Sequence, residues 1–407
     1  MNKYKREFLT AIPKTDLHVH LDGSLRIPTL IELANDQKIK LPSYTEEGLR
    51  ELVFKEQYAD LVEFLLGFQL TAAVMQTSES LERVAYEFAL DNFAEGVRYV
   101  EPRFAPQQHS NASISVEDVI ASVDRGLQKA KKEINSRKEI AGGDEPKFEY
   151  GIICCALRMF NREFPGSYRR LIDMHQHMPK EDLYGLAALD LVQTMIYVRN
   201  EMGVPIVGFD LAGAEMGYPA GDHKKAYDLA HKNFFNKTVH AGEAYGPESI
   251  FQAITDCHAD RIGHGTHIFD DSMVGLPNKD ERLKYVKELW QYVADSRITV
   301  EVCLTSNLQT MPKLKSIKNH PVAEMLDKRL SFTFCTDNRL VSNTTMTDEL
   351  ELAVNNLSIP PRKLKDLIIY GFKRSFFSED YLAKRRYVRD VINYYESVEA
   401  KYGITES

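Results

Sequence analysis

Cysteine is scarce in this chain, and what there is does not pair. Five cysteines stand among 407 residues, at 154, 155, 257, 303 and 335, with no C-x-x-C between them. The odd number and the scatter argue against a disulfide framework and against thiolate zinc sites. Cys154, Cys155, Cys303 and Cys335 fall in apolar, strand-like runs, where buried packing is the expected role. Positive charge is not in excess: 51 Lys and Arg against 59 Asp and Glu leave a net charge of −8. There is thus no electrostatic footprint for nucleic acid or for an anionic membrane. No apolar run reaches the roughly 20 residues that span a bilayer. The segment Met1–Thr10 is charged and lacks the apolar stretch of a secretory signal, so a cytoplasmic protein is expected. G-x-G-x-x-G after a first strand, H-E-x-x-H, and H-x-E with P-C-x-x-C are all missing.

What is present is an alternation. Eight strand-like runs are predicted at Thr15–His20, Val97–Phe104, Phe148–Ala156, Pro205–Leu211, Thr238–Ala241, Arg261–Gly263, Thr299–Leu304 and Ser331–Thr336. Several are near-continuously apolar, as strands covered on both faces should be. Helical patterns separate them, among them Ser80–Glu95, Val116–Ile134, Ala187–Met202, Gly221–Asn233 and His320–Lys328. The alternation argues for parallel pairing, and eight units point to one (β/α)8 TIM-type barrel domain over residues 1–407. An open doubly wound sheet is the second choice, without a glycine fingerprint to support it. The helical insertion at 25–77 carries Tyr58, Leu61, Phe64, Leu65 and Phe68, which read equally as a helix's core face or as an apolar lid over the barrel mouth. Residues 135–147 are expected to form a solvated loop, and 360–403 to pack as C-terminal helix around the barrel.

The chemistry gathers at predicted strand ends. His18-Val19-His20 closes the first strand, and residues two apart on a strand point the same way. Other strand ends bring Asp210-Leu-Ala-Gly213-Ala-Glu215, His240-Ala-Gly-Glu243, Arg261-Ile-Gly-His264 and Thr336-Asp337-Asn338. His18, His20 and His240 offer neutral nitrogen ligands and Asp337 an anionic oxygen, a set suited to one divalent ion with room for water. Such an ion lowers the pKa of its water toward neutrality. Glu243 is placed to deliver a proton, and His264 to steady charge on an oxygen. A second H-x-H, His175-Gln-His177, lies in a stretch, Tyr168–Met178, that reads as helix. There i and i+2 do not share a face, so no metal site is expected from it.

Together these motifs resemble the adenosine deaminase family of the amidohydrolase superfamily. The matching pieces run from Pro13-Lys-Thr-Asp-Leu-His-Val-His-Leu-Asp-Gly-Ser24 through Phe64-Leu-Leu-Gly-Phe68, Val100-Glu-Pro-Arg-Phe104, the four motifs above and Glu301-Val-Cys-Leu-Thr-Ser-Asn307. The resemblance implies a (β/α)8 barrel holding one Zn2+ per chain by His18, His20, His240 and Asp337, and a purine nucleoside as small-molecule substrate. It implies Glu243 as proton donor to purine N1 and His264 beside the zinc-bound water. His20 lies against the substrate, Asp22 meets the ribose hydroxyls, Gly213 offers its amide to the purine, and Phe64, Leu65 and Phe68 form the lid. Asp22 is the residue of the adenosine enzymes at its position; relatives acting on the free base tend to have Glu, and those acting on N6-methyl-AMP Asn. Two positions depart from the pattern: Leu304 stands where Pro is frequent, and Asn338 where many members have Asp. An Asn amide donates a hydrogen bond to purine N7 at any pH, whereas a carboxyl must first be protonated.

Overall fold

The computed structural model describes residues 4–58, 61–311 and 314–404, without the side chains of 61, 62, 65 and 66. Eight parallel strands follow one another in chain order: β1 (Lys14–His20), β2 (Val97–Phe104), β3 (Ile152–Leu157), β4 (Ile206–Ala212), β5 (Asn236–Ala241), β6 (Arg261–His264), β7 (Thr299–Val302) and β8 (Phe332–Phe334). The ring closes between its first and last members. Val19 bridges Asp337 in parallel, Asp337 N–H donates to His18 O at 2.8 Å, and His20 N–H donates to Asp337 O at 2.6 Å. The architecture is a (β/α)8 barrel, as the alternation predicted.

Strand boundaries shift where tertiary contacts intervene. The third run breaks at Gly151, so that Glu149–Tyr150 pairs with β2 ahead of β3. A Cβ at Gly151 would lie 2.6 Å from Val207 and 2.9 Å from the Tyr99 hydroxyl, so only glycine fits. β7 and β8 are shorter than predicted. A helix already begins at Leu304, and after β8 the chain bends so that Asp337 adopts φ +61°. The expected loop at 135–147 contains a short helix, Lys138–Ala141, whose Ile140 is buried. The C-terminal helix is two, Pro361–Arg374 and Tyr381–Tyr402.

The segment between those helices closes the N-terminal end of the barrel. Phe376 packs on Ile153 and Val207, and the Arg261 guanidinium lies 3.5 Å from its ring centroid. Tyr99 Oη donates to Phe376 O at 2.8 Å. Above this plug the barrel axis is ionic rather than apolar. Arg103 and Arg261, both buried, meet Glu101, Asp210 and Glu301, all fully buried. Charges so deep persist only when paired and hydrogen-bonded. Cys154, Cys155, Cys257, Cys303 and Cys335 are free and buried, as packing residues should be. No helix among the described residues is long and apolar enough to cross a membrane.

Candidate metal centre and active site

The candidate metal and catalytic residues lie at the C-terminal end of the barrel. His18 and His20 end β1, His240 belongs to β5 with Glu243 in the loop beyond, His264 ends β6, and Asp337 follows β8. Ligand atoms of His18, His240, His264 and Asp337 lie within 4.8 Å of one another. His20 abuts this group: its Nε2 is 3.1 Å from His240 Nε2 and 3.5 Å from Asp337 Oδ1. Close approach is bought with glycine, since a Cβ at Gly263 would stand 2.9 Å from His18 Cε1. His264 and Asp337 both hold left-handed backbone, φ +64° and +61°. Non-glycine residues are uncommon in that region.

Partners behind the imidazoles decide which nitrogen faces inward. His18 Nδ1 lies 2.7 Å from Glu301 Oε2, and His240 Nδ1 lies 3.1 Å from Asp210 Oδ2. A carboxylate can only accept, so each Nδ1 carries the proton and each Nε2 presents a lone pair to the centre. His18 Nε2 is accordingly buried without a hydrogen-bond partner. That orphaned acceptor, beside a second imidazole lone pair and a carboxylate, fits a divalent first-row ion. Burial lowers the pKa of His18 and His240 and holds His20 at about 4, so all three are neutral and ready to ligate near pH 7. Burial opposes ionisation of Asp337, yet the adjacent His18 imidazole, with His264 and His20, keeps its carboxyl below the usual range. Ser306 Oγ donates to Asp337 Oδ2 at 2.6 Å and fixes its orientation.

Glu243 stands in the loop after β5, its Oε2 3.7 Å from His264 Nε2. Its placement comes from a residue not assigned any role from sequence. The buried Glu215 carboxylate accepts from the amides of Gly242 (2.8 Å), Glu243 (3.1 Å), Ala244 (2.7 Å) and Tyr245 (2.9 Å), and from Ser249 Oγ. Burial opposes its ionisation, but Arg158, Ser249 and the amides hold its pKa below the ordinary value. Arg158 in turn donates to the His240 carbonyl at 2.6 Å. The loop is therefore pinned on its amide side by one side chain and on its carbonyl side by another. Glu301, Asp210, Arg103 and Arg261 were also unassigned; each is a charge inside an apolar strand run, the signal that marks them.

The remaining candidates line the approach. Asp22 is buried, its Oδ1 unpartnered and its Oδ2 3.7 Å from His109 Nε2, which is itself unpartnered. Asn338 is buried with Oδ1 unpartnered, lying over Gly23, where a Cβ would be 2.2 Å from that oxygen. Phe68 packs on His20 at 6.2 Å between ring centroids, Phe64 packs on Phe68 at 6.1 Å, and Tyr58 Oη donates to Val341 O at 2.7 Å. The insertion helix Leu61–Val74 thus touches the barrel mouth at the candidate metal centre. The side chains of Leu61 and Leu65 lie outside the described residues. Gly213 follows β4, exposed, with φ +99°. His175 and His177 are not in a helix: that helix, Ser167–Met174, ends where His175 caps it. They belong to no group of metal-holding residues among those described.

The family model described as adenosine deaminase matches residues 13–394. The chain is 31% identical over 370 residues to the adenosine deaminase of Vibrio atlanticus, covering 91% of this chain and 95% of that one. It is also 31% identical over 374 residues to a probable adenosine deaminase of Dictyostelium discoideum, of which it spans only 41%. Among solved structures it resembles adenine deaminase from Arthrobacter aurescens, with TM-score 0.73, 23% identity, and coverage of 95% of this chain and 100% of that one. An amidohydrolase from Burkholderia ambifaria with bound Zn has TM-score 0.76 and 19% identity, covering 98% of this chain and 95% of that one.

Proposed function

Because the chain belongs to the adenosine deaminase family and is a hydrolytic deaminase of C–N bonds in cyclic amidines, we propose that it converts adenosine and 2′-deoxyadenosine to inosine and 2′-deoxyinosine with release of ammonia. His18, His20, His240 and Asp337 are the proposed ligands of one Zn2+, which when bound supplies a Lewis acid that brings the pKa of a water toward neutrality. The protein's own groups do the rest. Glu243 protonates purine N1, which makes C6 electrophilic. His264 faces the same point and steadies the oxygen that adds at C6. The C6–N6 bond then breaks, and the amino group leaves as ammonia with one proton of the added water, the other having passed through Glu243 to N1. Phe64 and Phe68 cover the base and exclude water, the Gly213 amide and Asn338 address the purine edge, and His20 flanks it. A cytoplasmic place in purine salvage belongs to the same proposal.

The choice of a nucleoside rests on Asp22. Its buried, unpartnered Oδ1 is an acceptor awaiting a donor, and a ribose hydroxyl is one. His109 Nδ1 faces Met75 O at 3.1 Å and so carries the proton, which leaves Nε2 as a second acceptor next to Asp22. A phosphate offers only further acceptors there, and its charge would meet the carboxylate at short range.

Ammonia release from adenosine, 2′-deoxyadenosine, adenine and N6-methyl-AMP, before and after chelation, tests this. Turnover of both nucleosides, lost on chelation and restored by zinc, is the expected result. Turnover of adenine or the nucleotide alone would overturn the nucleoside reading. Glu243→Gln should retain zinc and lose roughly a hundredfold or more in kcat, as general acid catalysts do.

A further inference from the structure

A chain of hydrogen bonds reaches His264 from behind, and its direction is set by a main-chain amide. Val322 N–H donates to His320 Nδ1 at 3.0 Å. An amide nitrogen cannot accept, so Nδ1 is a lone pair and neutral His320 carries its proton on Nε2. Burial holds the His320 pKa at about 4, which keeps the ring neutral at pH 7. Nε2 lies 3.1 Å from Asn307 Oδ1 and donates to it. The Asn307 amide group, Nδ2, is thereby turned toward His264 Nδ1, 3.1 Å away, and donates in its turn. His264 Nδ1 is an acceptor. The proton of neutral His264 must then sit on Nε2, the atom that faces Glu243 and the metal-ligand cluster.

This polarity is opposite to that of the neighbouring imidazoles. His18 and His240 are backed by the carboxylates of Glu301 and Asp210, which force Nδ1–H and leave Nε2 free to ligate. His264 is backed by an amide donor instead. Geometry alone groups it with the ligands, but its inward atom carries a hydrogen. We propose that Asn307 and His320 are positioning residues that hold His264 as a hydrogen-bond donor to the reacting oxygen and keep it out of the metal's ligand set. The assignment rests on the reading of His264 given above. The helix Leu304–Thr310 that carries Asn307 also carries Ser306, which orients Asp337, so one element aligns both groups. The buried Glu349 carboxylate accepts from the amides at its start, Leu304 at 2.9 Å and Thr305 at 3.3 Å, and anchors it.

Long-range nitrogen–proton correlation spectra of the metal-free, histidine-labelled protein at pH 8 read the tautomers directly. Expected are protons on Nε2 of His264 and on Nδ1 of His18 and His240. A proton on Nδ1 of His264 overturns the proposal, whatever the substrate proves to be. Asn307→Asp replaces the donor with a group that only accepts. His264 should switch to Nδ1–H in the same spectra, and in the zinc enzyme kcat should fall roughly a hundredfold, the loss typical of one transition-state donor, with KM little changed. An unchanged tautomer overturns the relay. His320→Gln keeps an amide N–H for Asn307, whereas His320→Leu removes the donor, so Gln should preserve the tautomer and exceed Leu in kcat. Equal losses in the two variants, with His264 still protonated on Nε2 in both, would reduce His320 to a helix cap and overturn its part. Absence of adenosine turnover by the wild type would count against the nucleoside reading and leave the tautomer result standing.

Discussion

Glu301→Gln removes one charge from the barrel axis without changing its shape, and its effects divide into two measurable parts. The fully buried carboxylate takes four donors. Oε2 accepts from His18 Nδ1 at 2.7 Å and Arg103 Nη2 at 3.0 Å; Oε1 accepts from Arg261 Nε at 2.6 Å and Thr238 Oγ1 at 3.1 Å. Burial opposes ionisation, but Arg103 and Arg261 pull the Glu301 pKa far below the ordinary glutamate value. A glutamine has one acceptor and one NH2 group, so whichever way it lies, two donors face an NH2. The wild-type axis holds three carboxylates, Glu101, Asp210 and Glu301, against two guanidiniums, Arg103 and Arg261, and the variant loses one partner from each arginine. Breaking a buried ion pair costs about 3–5 kcal/mol. That is a large part of the ~5–15 kcal/mol that holds a domain together.

The second part concerns His18. Without a full carboxylate behind it, Nδ1–H is no longer obligatory, and Nε2 is less basic and less firmly aimed. Loss of such a partner behind a metal-bound histidine lowers affinity by about 10–100-fold, or ~1.4–2.7 kcal/mol. Urea unfolding with chelator present measures the first part, and competition with a zinc chelator at fixed pH measures the second. Thr238→Val is the control: it deletes one neutral hydrogen bond to the same carboxylate, for about 1 kcal/mol, and should leave metal affinity alone. If Glu301→Gln matches the wild type in both assays to within about 0.5 kcal/mol, a typical neutral surface change, the carboxylate neither anchors the axis nor supports His18.

On acidification, metal-free protein should lose the stability that its three neutral histidines contribute. His20 titrates at about 4 in the fold, and burial lowers His18 and His240 as well, whereas an unfolded histidine titrates near ~6.5. The unfolded chain therefore binds more protons between these values, so the stabilisation is complete above the unfolded pKa and drains away as pH falls through the folded ones. Asp16 and Glu349, which burial pushes up to about 7, act in the opposite direction, so melting temperatures by circular dichroism in chelator are compared between the wild type and His20→Asn; parallel profiles from neutrality to pH 4.5 would contradict this. Glu215→Gln turns an NH2 toward the amides of 242–245, and displacement of Glu243 by even ~1 Å should cost about a hundredfold in kcat with zinc content unchanged; a variant as active as the wild type would show that the loop holds itself. 7-Deazaadenosine should bind more weakly than adenosine if the Asn338 amide donates to N7, and equal inhibition constants would remove Asn338 from base recognition.

Strands and candidate ligands were legible because each announces itself locally. An apolar run flanked by helical pattern reads as a covered strand, and a histidine or aspartate at its end reads as a mouth residue. His18, His20, His240, His264 and Asp337 were all placed at the correct strand ends on that ground. Features made by contact between distant segments left no such trace. Gly151 breaks a strand because Val207 and Tyr99 crowd it, and neither is near it in the chain. The helix before His175 stops one turn early, at a boundary its periodicity did not mark. Glu101, Arg103, Asp210, Arg261 and Glu301 were visible as charges in apolar runs, yet which carboxylate meets which guanidinium is decided only when the barrel closes.

Glu215 is harder still, since most of its partners are main-chain amides, which every residue but proline possesses and no motif records. The same holds for the polarity of the site. His18 and His264 are alike as letters, and both stand at strand ends facing one point. What separates a lone pair from a proton there is the group behind each ring: a carboxylate for His18, and for His264 an amide whose own direction descends from the Val322 N–H. A candidate metal centre of this kind is therefore specified twice. Ligand positions follow from strand ends, and hydrogen-bond direction follows from backbone amides and buried carboxylates that become neighbours only in the folded barrel. A sequence that kept every candidate ligand but carried Asp at 307 would still spell the site, and would be expected to hold its ion and turn over slowly.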